Sequence, residues 1–269
     1  MDGFARILVA GYGAMTGAMV EGWLHAGLPA DRFTIYNPRP KPAPEGARFT
    51  TEWPAGPFDA VVIGMKPQQL ADAAPAIDAV CDPHTVLLSV LGGVDLGTLA
   101  DAAPSAGAWV RFMPNLACAI GKSPNVLVAR DLDAAGRDKV TALAVALGSA
   151  EWLADEAQFD LGTALAGSGP GFVYRIIDGI AAAAQHLGLE AEQAERLAVQ
   201  MMEGASALAA RSDLSPRDLA ARVASPGGMT QAGLDVLDEG GALEALLAET
   251  LRKTRDRGAY LAGKARKQG

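Results

Sequence analysis

A chain of 269 residues, 50% hydrophobic and only 20% charged, has the material for one large or two ordinary buried cores. A net charge of −8 and a pI near 4.9 argue against a nucleic-acid partner, which needs a basic face. No apolar run approaches the ~20 residues of a membrane span, and MDGFARILVAG leads into a strand without a charged leader or small-residue cleavage site, so a cytoplasmic protein with no membrane partner is expected. Two cysteines, Cys81 and Cys118, are too few for a disulfide framework and have no metal-ligand spacing. They read as free thiols.

Ile7 to Trp23, ILVAGYGAMTGAMVEGW, organises the chain: an apolar strand stops at Gly11, turns through Tyr12 and Gly13, and resumes at helical spacing. Gly11 can take the positive φ of a tight turn, and Gly13 lets the backbone approach a pyrophosphate at the helix N-terminus. Thr16 stands where a third glycine is usual, so a β-branched side chain must find room where helix and strand pack closely. Phe33 to Asn37 reads as a second strand. Its end carries Asn37 and Arg39, with Lys41 close by, in place of the acidic residue that holds the ribose hydroxyls of NAD. A neutral residue beside cations favours NADPH over a weaker NADH. Pro38, Pro40, Pro42 and Pro44 mark a loop there.

A third strand, Ala60 to Gly64, is apolar throughout, as for a parallel strand covered on both faces, and ends in Met65, Lys66 and Pro67. A helix follows through Leu70 and Ile77. Val86 to Val90 and Trp109 to Met113 are further strands, ending at Gly92 and at Pro114 and Asn115; the helix Asp95 to Ala103 separates them. Val126 to Ala129 and Glu151 to Ala154, around the helix Ala134 to Leu147, complete a doubly wound parallel sheet with ligands outside the strands' carboxyl ends. Residues 1–154 form this Rossmann-type α/β domain; 155–269 form an all-helical second domain. Its helix Gly171 to Leu187 is nearly uncharged and apolar on every side from Ile180 to Ala184, which calls for cover by another subunit.

His25 and His186 sit before helix-ending glycines and His84 in a turn, positions that need no catalytic role. No Ser-His-Asp set, carboxylate pair or metal cluster is present, which leaves the hard chemistry to a cofactor.

GYGAM at 11–15, MKPQ at 65–68, SVLGGV at 89–94, VRFMPN at 110–115, GSGPGFVY at 167–174 and SPGGMTQAGL at 225–234 together resemble the pyrroline-5-carboxylate reductase family over essentially the whole chain. The resemblance implies an oxidoreductase that converts 1-pyrroline-5-carboxylate to L-proline with NADPH, the last step of proline biosynthesis. It also implies a C-terminal domain interlocked into a homodimer, often a ring of dimers, and an active site between the domains. Gly11, Gly13, Ala14 and Met15 would hold the pyrophosphate, Arg39 the 2′-phosphate, and Met65, Lys66 and Pro67 the ribose and nicotinamide side, with Asn37, Gly92 and Asn115 also among the cofactor-binding residues. Ser225, Gly227, Gly228, Met229 and Thr230 would hold a cyclic imine carboxylate, with Thr230 facing the ring nitrogen as the catalytic residue. Leu116-Ala117 replaces a common Thr-Pro, Ala224 a frequent Thr, and Met229 the first Thr of SPGGTT.

Two other readings stand beside this one. A reductase of another cyclic imine or of a 2-hydroxy acid shares the architecture, but the latter needs a proton acceptor, and Gly167 to Gln185 holds neither Lys nor His. A non-catalytic dinucleotide-binding paralogue would not need the SPGG-x-T loop. Thr230 could also simply cap the helix that starts near Met229.

Overall fold

The computed structural model describes residues 3–266. Eight strands form one sheet: β1 Ile7–Ala10, β2 Phe33–Tyr36, β3 Arg48–Thr50, β4 Ala60–Ile63, β5 Val86–Ser89, β6 Ala108–Met113, β7 Ser123–Arg130 and β8 Gly148–Trp152. Their order is β3-β2-β1-β4-β5-β6-β7-β8. Every neighbouring pair is parallel except β6 and β7. The exception follows from chain length. Only residues 114–122 join β6 to β7, and they hold a single 3₁₀ turn, Leu116–Ile120; a parallel return needs a crossover of about a dozen residues or more. The sheet is thus parallel-dominated rather than wholly parallel.

Helices α1 Ala14–His25, α2 Leu70–Asp78, α3 Leu96–Ala102 and α4 Ala134–Ala146 cover the two faces. Alternation along the strands divides the core. Ile7 and Val9 turn to the side of Met19, Val20 and Trp23 of α1 and Leu143 of α4, while Leu8 and Ala10 turn to the side of Leu70 and Ile77 of α2 and Leu99 of α3. Trp23 stacks on Phe33 with ring centroids 5.6 Å apart and donates its indole N–H to Leu143 O at 2.9 Å. This anchors α1 to β2 and to α4 on one face of the sheet.

The described chain then becomes helical: α5 Phe159–Gly162 runs into a π-helical segment, Thr163–Gly167, followed by α6 Gly169–His186, α7 Ala191–Ala209, α8 Pro216–Val223, α9 Met229–Asp238 and α10 Ala242–Arg266. By packing, Gly169–Lys253 forms one compact unit, and the sheet unit comprises the chain up to Ser168 with the segment from Thr254. No helix among the described residues is long and apolar enough to cross a membrane.

A close approach in the sheet unit lies where β4 ends beside α1. A Cβ built on Gly64 would fall 2.0 Å from Thr16 Cγ2 and 3.1 Å from Gly11 O. Gly64→Ala should therefore cost about 1–3 kcal/mol of overpacking. Adding Thr16→Ser, which deletes the methyl and keeps the hydroxyl, should restore part of it. Chemical denaturation of the two single variants and the double variant measures this coupling; purely additive losses would remove the contact from the account.

Candidate active site

The turn after β1 is built as the glycine pattern requires. Gly11 has φ +93, and a Cβ there would lie 2.7 Å from Met65 N. Its N–H donates to Tyr36 O at 2.9 Å. Thr16, in the place of the third glycine, holds the turn instead of loosening it. Its hydroxyl donates to Gly11 O at 2.8 Å and accepts the Gly13 N–H at 3.0 Å, while its methyl occupies the notch left by Gly64. The room for a β-branched residue comes from the facing strand. The signal in the sequence was the glycine that ends the third apolar run, and a motif scan misses it.

Gly13 caps α1 without a side-chain bond. The first helical hydrogen bond runs from Gly17 N–H to Gly13 O, so the amides of Ala14, Met15 and Thr16 precede it, as the amides at a helix start that can receive an anion do. Tyr12 is held from the other side: Asn37 Oδ1 accepts its N–H at 3.2 Å, and Lys41 Nζ donates to its carbonyl at 2.6 Å. Asn37 also donates to Arg39 O at 2.6 Å. Its carboxamide is thus engaged in bracing the turn. Burial, and after it the charge of Glu21, raises the Tyr12 phenol above its usual range, so it stays protonated at neutral pH.

Gly11, Gly13, Asn37, Arg39, Met65 and Lys66 line one cleft of about 670 Å³. Arg39 is exposed, with no acidic partner among the described residues, so its guanidinium is available to a phosphate. Pro67 opens a 3₁₀ turn, Pro67–Gln69, ahead of α2, and Gln69 Oε1 accepts the Lys66 N–H at 3.1 Å. Gly92 lies exposed in the loop after β5. Asn115 is placed differently from an open cofactor ligand. It is buried; its carboxamide donates to Ala166 O at 2.9 Å and accepts the Ala117 N–H at 2.9 Å, tying the end of β6 to the π-helical segment.

Arg111, beside it on β6, escaped the sequence reading. It is 5% exposed, yet Nη1 pairs with Glu156 at 3.0 Å and Nη2 with Asp160 at 3.2 Å. The guanidinium lies 3.9 Å from the Phe159 ring centroid, and Glu156 also accepts the Leu96 N–H at 2.9 Å. A buried cation between two carboxylates fixes the start of α5, and with it the run into Gly167 and Ser168. π-helical breaks of this kind are frequent at functional sites.

In the helical unit, residues 225–230 form a tight turn that opens α9. Gly228 donates its N–H to Ser225 O at 2.8 Å, and a Cβ on Gly228 would meet Ser225 Oγ at 2.3 Å. Gly227 has φ +70. Gly228 is the N-cap of α9, and the first helical bond runs from Ala232 N–H to Gly228 O at 3.2 Å. The amides of Met229, Thr230 and Gln231 thus precede the first helical bond. The Gly228 amide, engaged with Ser225, is not among them. Thr230 is exposed, its hydroxyl has no partner among the described residues, and the cap position belongs to Gly228. The capping role open to Thr230 in the sequence is absent.

The histidines sit as their spacing implied: His25 and His186 end α1 and α6, and the His84 N–H donates to Asp82 Oδ1 in a turn. Burial, then Asp78 and Asp82, pushes the Cys81 thiol up to about 12; burial takes Cys118 to about 11. Neither is a thiolate nucleophile at neutral pH.

Residues 156–261 match the family model described as pyrroline-5-carboxylate reductase dimerisation. The chain is 32% identical over 265 residues to the pyrroline-5-carboxylate reductase of Pseudomonas aeruginosa, covering 96% of this chain and 97% of that one. Its fold superposes on a pyrroline-5-carboxylate reductase from Coxiella burnetii with a TM-score of 0.85 at 26% identity, covering 96% of this chain and 98% of that one. It also superposes on the Plasmodium falciparum pyrroline carboxylate reductase with NADP bound, with a TM-score of 0.80 at 22% identity, covering 96% and 98%. The turn that follows β1, the turn that opens α9 and full-length similarity point the same way: the chain belongs to the pyrroline-5-carboxylate reductase family.

Proposed function

We propose that this protein reduces 1-pyrroline-5-carboxylate to L-proline with NADPH, the closing step of proline biosynthesis. The observation that carries this reading is the opening of α9, where three amides before the first helical bond and the partnerless Thr230 hydroxyl lie on adjacent residues. A carboxylate and a ring nitrogen a bond or two apart are what such a pair recognises.

The sheet unit fits NADPH. The amides of Ala14 and Met15 suit the pyrophosphate, and exposed Arg39 suits the 2′-phosphate. Met65 and Lys66 line the same cleft, and Pro67 opens the turn that follows them; this stretch serves the ribose and nicotinamide side. NADPH supplies the hydride. The residues orient the substrate: the Met229 to Gln231 amides hold its carboxylate, and the Thr230 hydroxyl, which donates or accepts, holds a nitrogen that changes protonation. No histidine is needed to deliver the proton, because a cyclic imine takes one from water far more readily than a ketone oxygen and then accepts hydride as the iminium.

Val173, Ile176 and Ile180 lie on one stripe of α6 and are 41%, 42% and 39% exposed. A second copy covers them in the homodimer we infer, consistent with the dimerisation model that matches this region. The free thiols at Cys81 and Cys118 suit a reducing cytoplasm.

Following NADPH oxidation optically with five- and six-membered cyclic imine carboxylates tests the reaction; the five-membered ring should be the better substrate, and activity with neither would refute it. Arg39→Ala should lower the NADPH-over-NADH ratio of kcat/KM by about tenfold or more, the worth of a charged bidentate contact. An unchanged ratio would mean that Arg39 does not read the phosphate. Thr230→Ala should reduce kcat/KM by roughly 10- to 100-fold, about 1.4 to 2.7 kcal/mol, with melting temperature unchanged, and Thr230→Ser should recover most of it. If the alanine variant loses stability and keeps its kinetics, the hydroxyl is structural after all. Ile180→Glu would place an unpaired carboxylate in the dimer contact, and light scattering should then find monomers; a fully active dimer would show that this stripe is covered otherwise.

A further inference from the structure

We propose that Trp53 forms the aromatic wall of the purine subsite in the cofactor cleft, stacking on the adenine of NADPH. This rests on the assignment of the cleft to NADPH, and it concerns a residue outside every motif that identified the family.

The edge strand β3 carries the chain to this point. Thr50, its last residue, pairs with Tyr36, the last residue of β2, and the chain bends after it so that the Trp53 ring stacks on the Tyr36 ring, centroids 4.2 Å apart and planes 29° apart. Both rings remain half-buried. A pair that served only to seal the sheet edge would be expected to be covered. Both also line the same cleft as Gly13 and Arg39, with Asp72 and Ala73 of α2.

Connectivity of the ligand limits where its base can go. The adenosine ribose joins the pyrophosphate, assigned to the amides after Gly13, to the adenine, and it carries the 2′-phosphate assigned to Arg39. The adenine therefore sits one sugar away from both. Of the aromatic residues in the cleft lining, Tyr12 lies against Gly17 of α1, while Tyr36 and Trp53 cover one face of each other. Trp53 is the larger ring of that pair and stands on the loop beyond β3, outside the strand pairing that holds Tyr36. The free amides and Arg39 supply charge recognition and leave the base unread; an indole supplies the dispersion that a purine requires. Stacking a base on an aromatic side chain changes affinity by about 5- to 150-fold on truncation.

The test uses 2′,5′-ADP, which has the purine and the 2′-phosphate but no nicotinamide, so that binding is read without turnover. Titrating it should quench the indole emission of the wild-type protein and leave Trp53→Phe emission nearly unchanged, since Trp23 and Trp109 are buried in the core and Trp152 lies on β8, at the opposite edge of the sheet from β3. The Kd of 2′,5′-ADP should rise about 5- to 100-fold in Trp53→Ala and by less in Trp53→Phe, which keeps a ring. The KM of reduced nicotinamide mononucleotide, which lacks a purine, should be the same in all three. A folded Trp53→Ala protein that binds 2′,5′-ADP as tightly as wild type would overturn the proposal. So would equal quenching in Trp53→Phe, a result that stands even if the alanine variant does not fold. Trp53-dependent binding by a protein that reduces no cyclic imine would sustain the subsite and refute the proposed reaction; wild-type affinity in Trp53→Ala with normal imine reduction would do the reverse.

Discussion

The fit of Thr16 against Gly64 is the constraint on which the cofactor side depends. The hydroxyl of Thr16 spans Gly11 O and Gly13 N–H, and its methyl needs the empty position on β4. Turn, helix start and neighbouring strand are therefore fixed together. With the helix start in place, the amides of Ala14 and Met15 stand before the first helical bond, and Asn37 and Lys41 hold Tyr12 from the loop after β2. A glycine at position 16 would leave more room and hold nothing. The hydroxyl makes the turn rigid before any ligand arrives, which lowers the ordering that binding requires.

The substrate side uses the same device with different residues. A glycine-containing turn ends at the start of a helix, its own geometry satisfied internally by Ser225 O and Gly228 N–H, so that the next three amides precede the first helical bond and suit the anion proposed there. One hydroxyl stands among them. Orientation rather than acid catalysis is the task assigned to this loop, in keeping with a chemistry in which the substrate is readily protonated and the cofactor brings the hydride. In the same unit α6 packs against α7, and its partly exposed stripe of Val173, Ile176 and Ile180 is the face left for the second copy proposed above.

Much of the sheet was legible because strands buried on both faces are unbroken apolar runs: β1, β4 and β5 needed little more than their composition. The edge strand β3 was not, since Arg48–Thr50 is short and exposes its arginine. The start of β7 was hidden too. Asn125 has a buried amide whose two N–H groups are shared among Ser123 O, Ala144 O and Ser149 O, an arrangement that only the fold reveals. The antiparallel turn of β7 was implied by the short connection and not by any residue type. In the site, glycines announced the two turns, because conformation dictates them. The roles of polar residues depended on what lay opposite: Asn37 bonds the turn, Asn115 the π-helical segment, and Arg111 two carboxylates from beyond β8. Pairings across such sequence distances leave no local trace.

The most direct measurement follows the hydrogen itself. Purified protein is given 1-pyrroline-5-carboxylate and NADPH deuterated at the transferable position of the nicotinamide, and the product is examined by mass spectrometry and proton NMR. The account predicts L-proline carrying one deuterium on the carbon of the former C=N bond, one molecule for each NADPH consumed. NADPH oxidation without labelled proline, or labelled product only from a different ring, would contradict it.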